Sequence, residues 1–294
     1  MTTSVEPNKE GATNLRKPIL IILAVALTVA GGAYFMLRPE PVARQVPFKA
    51  AQATAADLGA VTKARVFFAH QSVGGNIIEA LPEVYRAMQS PPPAIITQGV
   101  KLPPLGSFIV HTEIGTNGDP LGKIAEFDRL LRDGLAEKVD VAILKLCFVD
   151  FNAETDANTI FASYRTAMTS LEHAYPDVAF VYTTVPLMAD RDLYGRLKAL
   201  LGRGQEYDPS HNAARERYNS LVRAEYGATG RLLDVAAVES AGHRDALSYK
   251  LSPSGEFLAM DPNLTSDGGH LNSDGADLVA RYWLSLVAHA ASIE

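Results

Sequence analysis

Cysteine is nearly absent from this chain: one residue, Cys147, in 294. A single thiol excludes an intrachain disulfide framework and any cysteine-rich zinc site. It leaves the compartment open, because a domain of this size folds without disulfides even in an oxidising space. A basic excess is lacking too. The formal net charge is −6, so there is no electrostatic footprint for nucleic acid and no nucleic-acid partner is expected. Internal repeats and low-complexity tracts are missing as well. What remains is an ordinary globular composition, 47% hydrophobic and 20% charged, with enough apolar residues for one sizeable core.

Charge is missing altogether from residues 18–37 (PILIILAVALTVAGGAYFML). At about 1.5 Å per residue, twenty helical residues cross a bilayer core of roughly 30 Å. Arg16 and Lys17 precede the run, Arg38 follows it, and Tyr34 and Phe35 sit near its end as interfacial anchors do. An uncleaved transmembrane helix is therefore expected. A cleaved signal peptide, with its shorter apolar region, is the alternative. The organisation that follows is a short cytoplasmic tail (1–17), an anchor (18–37), a linker rich in Pro, Ala, Gln and Thr (38–59), and a globular domain (60–294). That domain is expected outside the cytoplasm, in a periplasmic or extracellular space.

Within the domain, strand and helix patterns alternate. Short β-rich runs appear at 64–69 (ARVFFA), 94–100 (AIITQGV), 139–148 (VDVAILKLCF), 178–185 (VAFVYTTV) and 231–235. Helical spacing appears at 76–88, 121–135, 159–175, 212–226 and 276–288. Residues 101–120 read as a long Gly/Pro/Asn-rich loop, and 186–209 as a polar connection whose Arg191, Arg196, Lys198 and Arg203 form a basic face. That face reads as solvated, with a lid or an acidic-substrate contact as the functional alternative. Five strands alternating with helices predict an α/β fold: a three-layer α/β/α sandwich around a parallel five-stranded sheet.

Chemistry concentrates at two stretches far apart in the chain. Residues 266–275 (SDGGHLNSDG) place Asp267 three residues before His270, just ahead of the last helix. A carboxylate beside an imidazole fixes its tautomer and orientation, as the base of a nucleophilic triad requires. Residues 68–75 (FAHQSVGG) end the first strand, so Ser72 falls on a strand-to-helix turn at the carboxyl edge of the sheet, where such folds bind ligands. Ser72 reads either as a nucleophile or as a simple helix N-cap. His70 is a candidate pocket or substrate-binding residue. Imidazoles and carboxylates at positions 70, 111, 267 and 270 lack a metal-binding spacing, so neither metal nor cofactor is expected. Cys147, on an apolar strand, reads as a small inert hydrophobe.

The pairing of Ser72 after the first strand with Asp267-x-x-His270 before the final helix resembles the SGNH (GDSL-type) hydrolases, over about residues 60–294. The resemblance implies a flavodoxin-like sandwich, a Ser72–His270–Asp267 triad and an acyl-ester substrate; the expected location makes O-acetyl groups on envelope or extracellular polysaccharide the leading class. Acyl transfer to a sugar hydroxyl is a variant, and departures from the family's motifs motivate the alternative of a catalytically weak member that binds carbohydrate or assists envelope assembly. The usual Gly-Asp-Ser reads His70-Gln71-Ser72 here. A family Gly after the second strand corresponds to Gly115 or Gly118, with Asn117 as a side-chain donor. The family's Gly-x-Asn-Asp is eroded: aligning Asp150 puts Val149 where the oxyanion Asn belongs, leaving Asn117, Asn152 and Lys145 as replacement donors. Lys145, in an apolar strand, needs a partner such as Asp150 or Glu113 if buried, or else reaches solvent from the strand edge.

Overall fold

In the computed structural model the described residues are 1–3, 16–37, 41–99, 106–203 and 208–292. Most of the expected cytoplasmic tail, the start of the linker and the stretch 100–105 lie outside them. The chain divides into two compact units: residues 1–39 with 191–205, and residues 40–190 with 206–294. The larger unit carries the sheet and the candidate site.

Elements of this larger unit follow in chain order. β1 (Val42–Pro47) and α2 (Ala55–Val61) come first, after the N-terminal helix α1 (Arg16–Leu37) of the other unit. Then come β2 (Arg65–His70), α3 (Val73–Ala87), β3 (Ala94–Thr97), β4 (Phe108–Glu113), α4 (Pro120–Leu130), β5 (Val141–Leu144), α5 (Ala157–Ala174) and β6 (Ala179–Thr183). After α6 (Leu193–Leu200), which belongs to the smaller unit, the domain resumes with α7 (Pro209–Tyr226), β7 (Leu232–Leu233), α8 (Val235–Ala241), β8 (Ala246–Ser252), β9 (Gly255–Phe257) and α9 (Ser273–Ala290).

The main sheet has the order β3-β4-β2-β5-β6-β7, parallel throughout. The α/β/α architecture with a parallel sheet is as expected; the strand count is six, not five. The added strand is β4, in the stretch read as a loop. Its Phe-Ile-Val core is only three residues long and sits among Gly, Pro and Asn, so local composition hid it; pairing on both sides by β2 and β3 makes it a strand. β1 lies in the stretch read as linker and forms a separate antiparallel sheet, β1-β8-β9. Its exposed Arg44–Glu256 ion pair adds no more than about 1 kcal/mol.

β2 shows why the layers form. Side chains alternate across a strand, so Val66 and Phe68 pack with α2, α3, α8 and α9, while Phe67 and Ala69 pack with α4, α5 and α7. Both faces are covered, which is why the strand reads as a continuous apolar run.

After β6 the backbone stays buried from Thr184 to Ala189 without regular structure. Buried irregular backbone must find hydrogen-bond partners, and polar side chains of α7 and α8 supply them. Asn219 accepts from the Val185 amide and donates to the Val185 carbonyl. Asn212 does the same for Met188. Glu239 accepts the Leu187 amide at 2.7 Å.

Glu239 is fully buried, and burial pushes its carboxyl up to about 8 against the pull of the Leu187 amide, Lys145 and Arg215. A glutamate whose folded value lies above its unfolded one binds its proton more tightly when folded. Its contribution to stability is complete below about pH 4.5 and is lost as pH rises towards 8. Glu239→Gln should remove a slope of up to about 1.4 kcal/mol per pH unit from that window. Urea unfolding at pH 5 and pH 8 checks this; an unchanged difference between wild type and variant would refute it.

Candidate active site

Parallel strands open their carboxyl ends at one edge, and four of those ends build the site. The ladder runs past the strand pairs: the Ile114 amide donates to the His70 carbonyl, and the Lys145 amide to the Ala69 carbonyl. β2 is thus clamped on both sides up to the threshold of Ser72.

Ser72 stands at the N-cap position of α3 with φ 27° and ψ −86°. Positive φ is rare outside glycine, and such strain costs of order 1–3 kcal/mol and persists only where the surroundings impose it. Gly74 shows the surroundings: a Cβ there would lie 2.3 Å from His70 Cβ, so only glycine lets the first turn of α3 settle on the end of β2. The Ser72 side chain makes no capping hydrogen bond. Its Oγ lies 3.5 Å from Cys147 Sγ instead. The N-cap reading therefore accounts for the position of Ser72 but not for the use of its hydroxyl.

The other half of the site is complete in itself. His270 Nδ1 is 2.6 Å from Asp267 Oδ2, and Asp267 Oδ1 accepts the Gly269 and His270 amides at 2.9 and 2.8 Å. Partial burial pushes the Asp267 carboxyl up, but those amides and the His270 ring outweigh it and hold the group well below the usual carboxylate range. An ionised Asp267 accepting from Nδ1–H leaves His270 Nε2 with its lone pair, the form a general base needs. The His270 ring meets Phe148 edge-on at 5.7 Å between centroids. A tether joins this loop to the Ser72 turn: the Leu271 amide donates to Asn76 Oδ1, on the first turn of α3, at 3.2 Å. Among the described residues no hydrogen bond joins Ser72 to His270.

The loop after β4 sorts its three donor candidates. The Gly115 amide is spent on Glu126 Oε2 and the Gly118 amide on Asp150 Oδ1. Asn117 is exposed and accepts from Lys123 Nζ through Oδ1 at 3.0 Å, an orientation that turns its amide donor end away from the lysine. Beneath the loop lies a fully buried ion pair: Lys123 Nζ is 2.7 and 2.8 Å from the two Asp150 oxygens. Asp150 Oδ2 also accepts the Cys147 amide at 2.7 Å. One carboxylate thereby ties the β4 loop, α4 and the β5 loop together.

The remaining expected residues sit elsewhere. Lys145 is fully buried rather than solvent-reaching, and it pairs with neither Asp150 nor Glu113; Nζ donates to the Leu146 carbonyl at 3.2 Å, and burial lowers its pKa. Asp150 took Lys123 instead. Asn152, exposed, spends Oδ1 on the Glu154 amide and the Thr155 hydroxyl in a local turn. His70 is buried beneath the site, with Nε2 3.0 Å from His111 Nδ1 and with burial holding its pKa down at about 3, so it stays neutral. Val149 is 44% exposed, and its side chain offers no polar atom.

Sequence reasoning missed Lys123, Asn76 and Arg215. Lys123 carried a signal: it falls among Pro120, Ile124 and Phe127 on the buried face of α4, where a lysine requires an acid. Arg215, also buried, donates through Nε to the Phe148 carbonyl at 2.9 Å and had no such marker.

Lys123→Met would leave Asp150 buried without its cation, a loss of about 3–5 kcal/mol. Denaturant unfolding checks this; a loss under about 1 kcal/mol would mean the amides alone satisfy Asp150.

No family model and no curated protein matches the chain. Solved structures do. The chain is similar to the psychrotrophic esterase EstA from Pseudoalteromonas sp. at 11% identity and a TM-score of 0.43, over 76% of this chain and 96% of that one. A candidate lipolytic protein of the G-D-S-L family from Desulfitobacterium hafniense aligns at 14% identity and a TM-score of 0.40, over 75% and 98%. The periplasmic domain of a lipopolysaccharide acetyltransferase from Salmonella ser. Paratyphi A aligns at 14% identity and a TM-score of 0.39, over 78% and 87%. The chain is thus similar, at low identity, to structures described as lipolytic, esterase and acetyltransferase proteins.

Proposed function

We propose that this protein is a membrane-anchored serine esterase of the SGNH type, acting on acyl esters outside the cytoplasm. One observation carries the reading: a backbone-strained serine heads α3, and the first turn of that helix is hydrogen-bonded to the loop holding a formed Asp267–His270 pair.

In this mechanism Ser72 Oγ exchanges its Cys147 contact for His270 Nε2 and attacks the ester carbonyl as Nε2 takes its proton. The oxyanion is held by the Ser72 amide and the Asn117 side-chain amide, the donor the β4 loop leaves uncommitted. Imidazolium beside ionised Asp267 then passes the proton to the departing alcohol, leaving an acyl-Ser72 ester. Water attacks that ester with His270 again as base, the acid departs, and the proton returns to Ser72. A sugar hydroxyl in place of the water gives acyl transfer. The helix α1, long and apolar enough to cross a membrane or to serve as a signal sequence, is read as the anchor. An extracytoplasmic domain makes O-acetylated envelope carbohydrate the leading substrate class, with no nucleic-acid partner and no cofactor.

The Ser72–Cys147 contact favours a second reading, a weakly active member that binds carbohydrate or assists envelope assembly. One assay separates the two. On a short-chain nitrophenyl ester, Ser72→Ala and His270→Ala should each lower kcat by about 10³-fold or more, and a fluorophosphonate should label Ser72 alone. Equal turnover by wild type and both variants, with no label, would sink the esterase reading.

A further inference from the structure

Only part of the segment between β6 and α7 groups with the larger unit; residues 191–205 form one compact unit with α1, and α6 contacts α1 within it. Its composition suits neither a solvated face nor a packed helix. Leu193, Tyr194, Leu197, Leu200 and Leu201 are between 46% and 76% exposed. At 100° per residue these positions share one side of the helix. A soluble surface rarely spends four leucines and a tyrosine on one exposed stripe.

The charges beside that stripe are cationic. Lys198 and Arg203 are exposed, with the Lys198 ammonium 4.4 Å from the Tyr194 ring centre. Asp192 is the single acid from 191 to 203, and its carboxylate caps the helix by accepting the Gly195 amide. Leucines and an aromatic on one side, flanked by cations, are the pattern of a helix lying in a lipid interface. Its contact with α1, which is apolar over 18 residues and unburied, argues for lipid as the occupant of the stripe.

We propose that α6 lies on an anionic lipid surface, with Leu193, Leu197, Leu200 and Leu201 in the acyl boundary and Lys198 and Arg203 at the phosphates. The domain would then be held at the membrane by two contacts, a span and an interfacial helix. The inference rests on reading α1 as an uncleaved anchor.

Full-length protein would be reconstituted into phosphatidylcholine vesicles with and without phosphatidylglycerol, carrying a thiol-linked polarity-sensitive probe on Leu197→Cys or, separately, on Leu27→Cys. The unsubstituted chain reports any labelling of buried Cys147. Brominated lipid should quench both probes, and the Leu197 probe should lose its quenching when phosphatidylglycerol is omitted or when Lys198→Glu and Arg203→Glu are combined. Quenching at Leu27 without quenching at Leu197 overturns the proposal and leaves the anchor standing. Absence of quenching at both positions overturns the two together. Quenching at Leu197 that ignores lipid charge and both glutamates refutes an anionic surface as the occupant.

Discussion

All six strands of the main sheet run the same way, and that constraint decides where the candidate site can be. A parallel strand returns only through a crossover on a face of the sheet, so every carboxyl end opens at one edge. β2 releases into Ser72, β4 into the Gly115–Asp119 loop, β5 into Cys147 and Asp150, and β6 into the buried run from Thr184 to Ala189. These segments are neighbours because the strands before them are hydrogen-bonded in register, Phe68 against both His111 and Ile143.

Crowding four loops onto one edge has a cost in buried polar groups, and the domain meets it with side chains rather than more secondary structure. Asn212, Asn219 and Glu239 serve the β6 loop, Arg215 serves the carbonyls of the β5 loop, and the Lys123–Asp150 pair serves the β4 and β5 loops at once. A site braced in this way can impose an unfavourable conformation on one residue. Ser72 is that residue, held at positive φ at the end of a strand clamped on both sides and beside a histidine that only a glycine at position 74 lets approach.

Much of this was legible in the residues. Apolar runs such as Val-Ala-Ile-Leu are buried strands, and alternation with helices led to the layered parallel fold. Strand β4 was not, because its identity comes from partners on both sides rather than from its own three apolar residues. β1 was hidden for the same reason: its mate β8 is some two hundred positions away, and Val-Ala-Arg-Gln-Val-Pro carries no local pattern that demands one. At the site, Ser72, Asp267 and His270 stood out by residue type and place in the chain. The partners of Asp150 and Lys145 did not, since which cation reaches a buried carboxylate depends on helix placement, and α4 brought Lys123 there while Lys145 turned under Leu146.

The bond from Leu271 to Asn76 spans 195 residues. Synthesis proceeds from the N-terminus, so Ser72 leaves the ribosome long before His270 exists, and the loop that carries the imidazole is seated by α9, the last helix of the chain. Closing so long a loop is an entropic debit settled only when α9 docks against α3. Ser72 is therefore synthesised well ahead of His270, and a chain stalled before α9 carries the serine turn without the loop it is tethered to. The Asp267–His270 loop and the Ser72 turn are thus brought together by one packing event, the seating of α9 on α3.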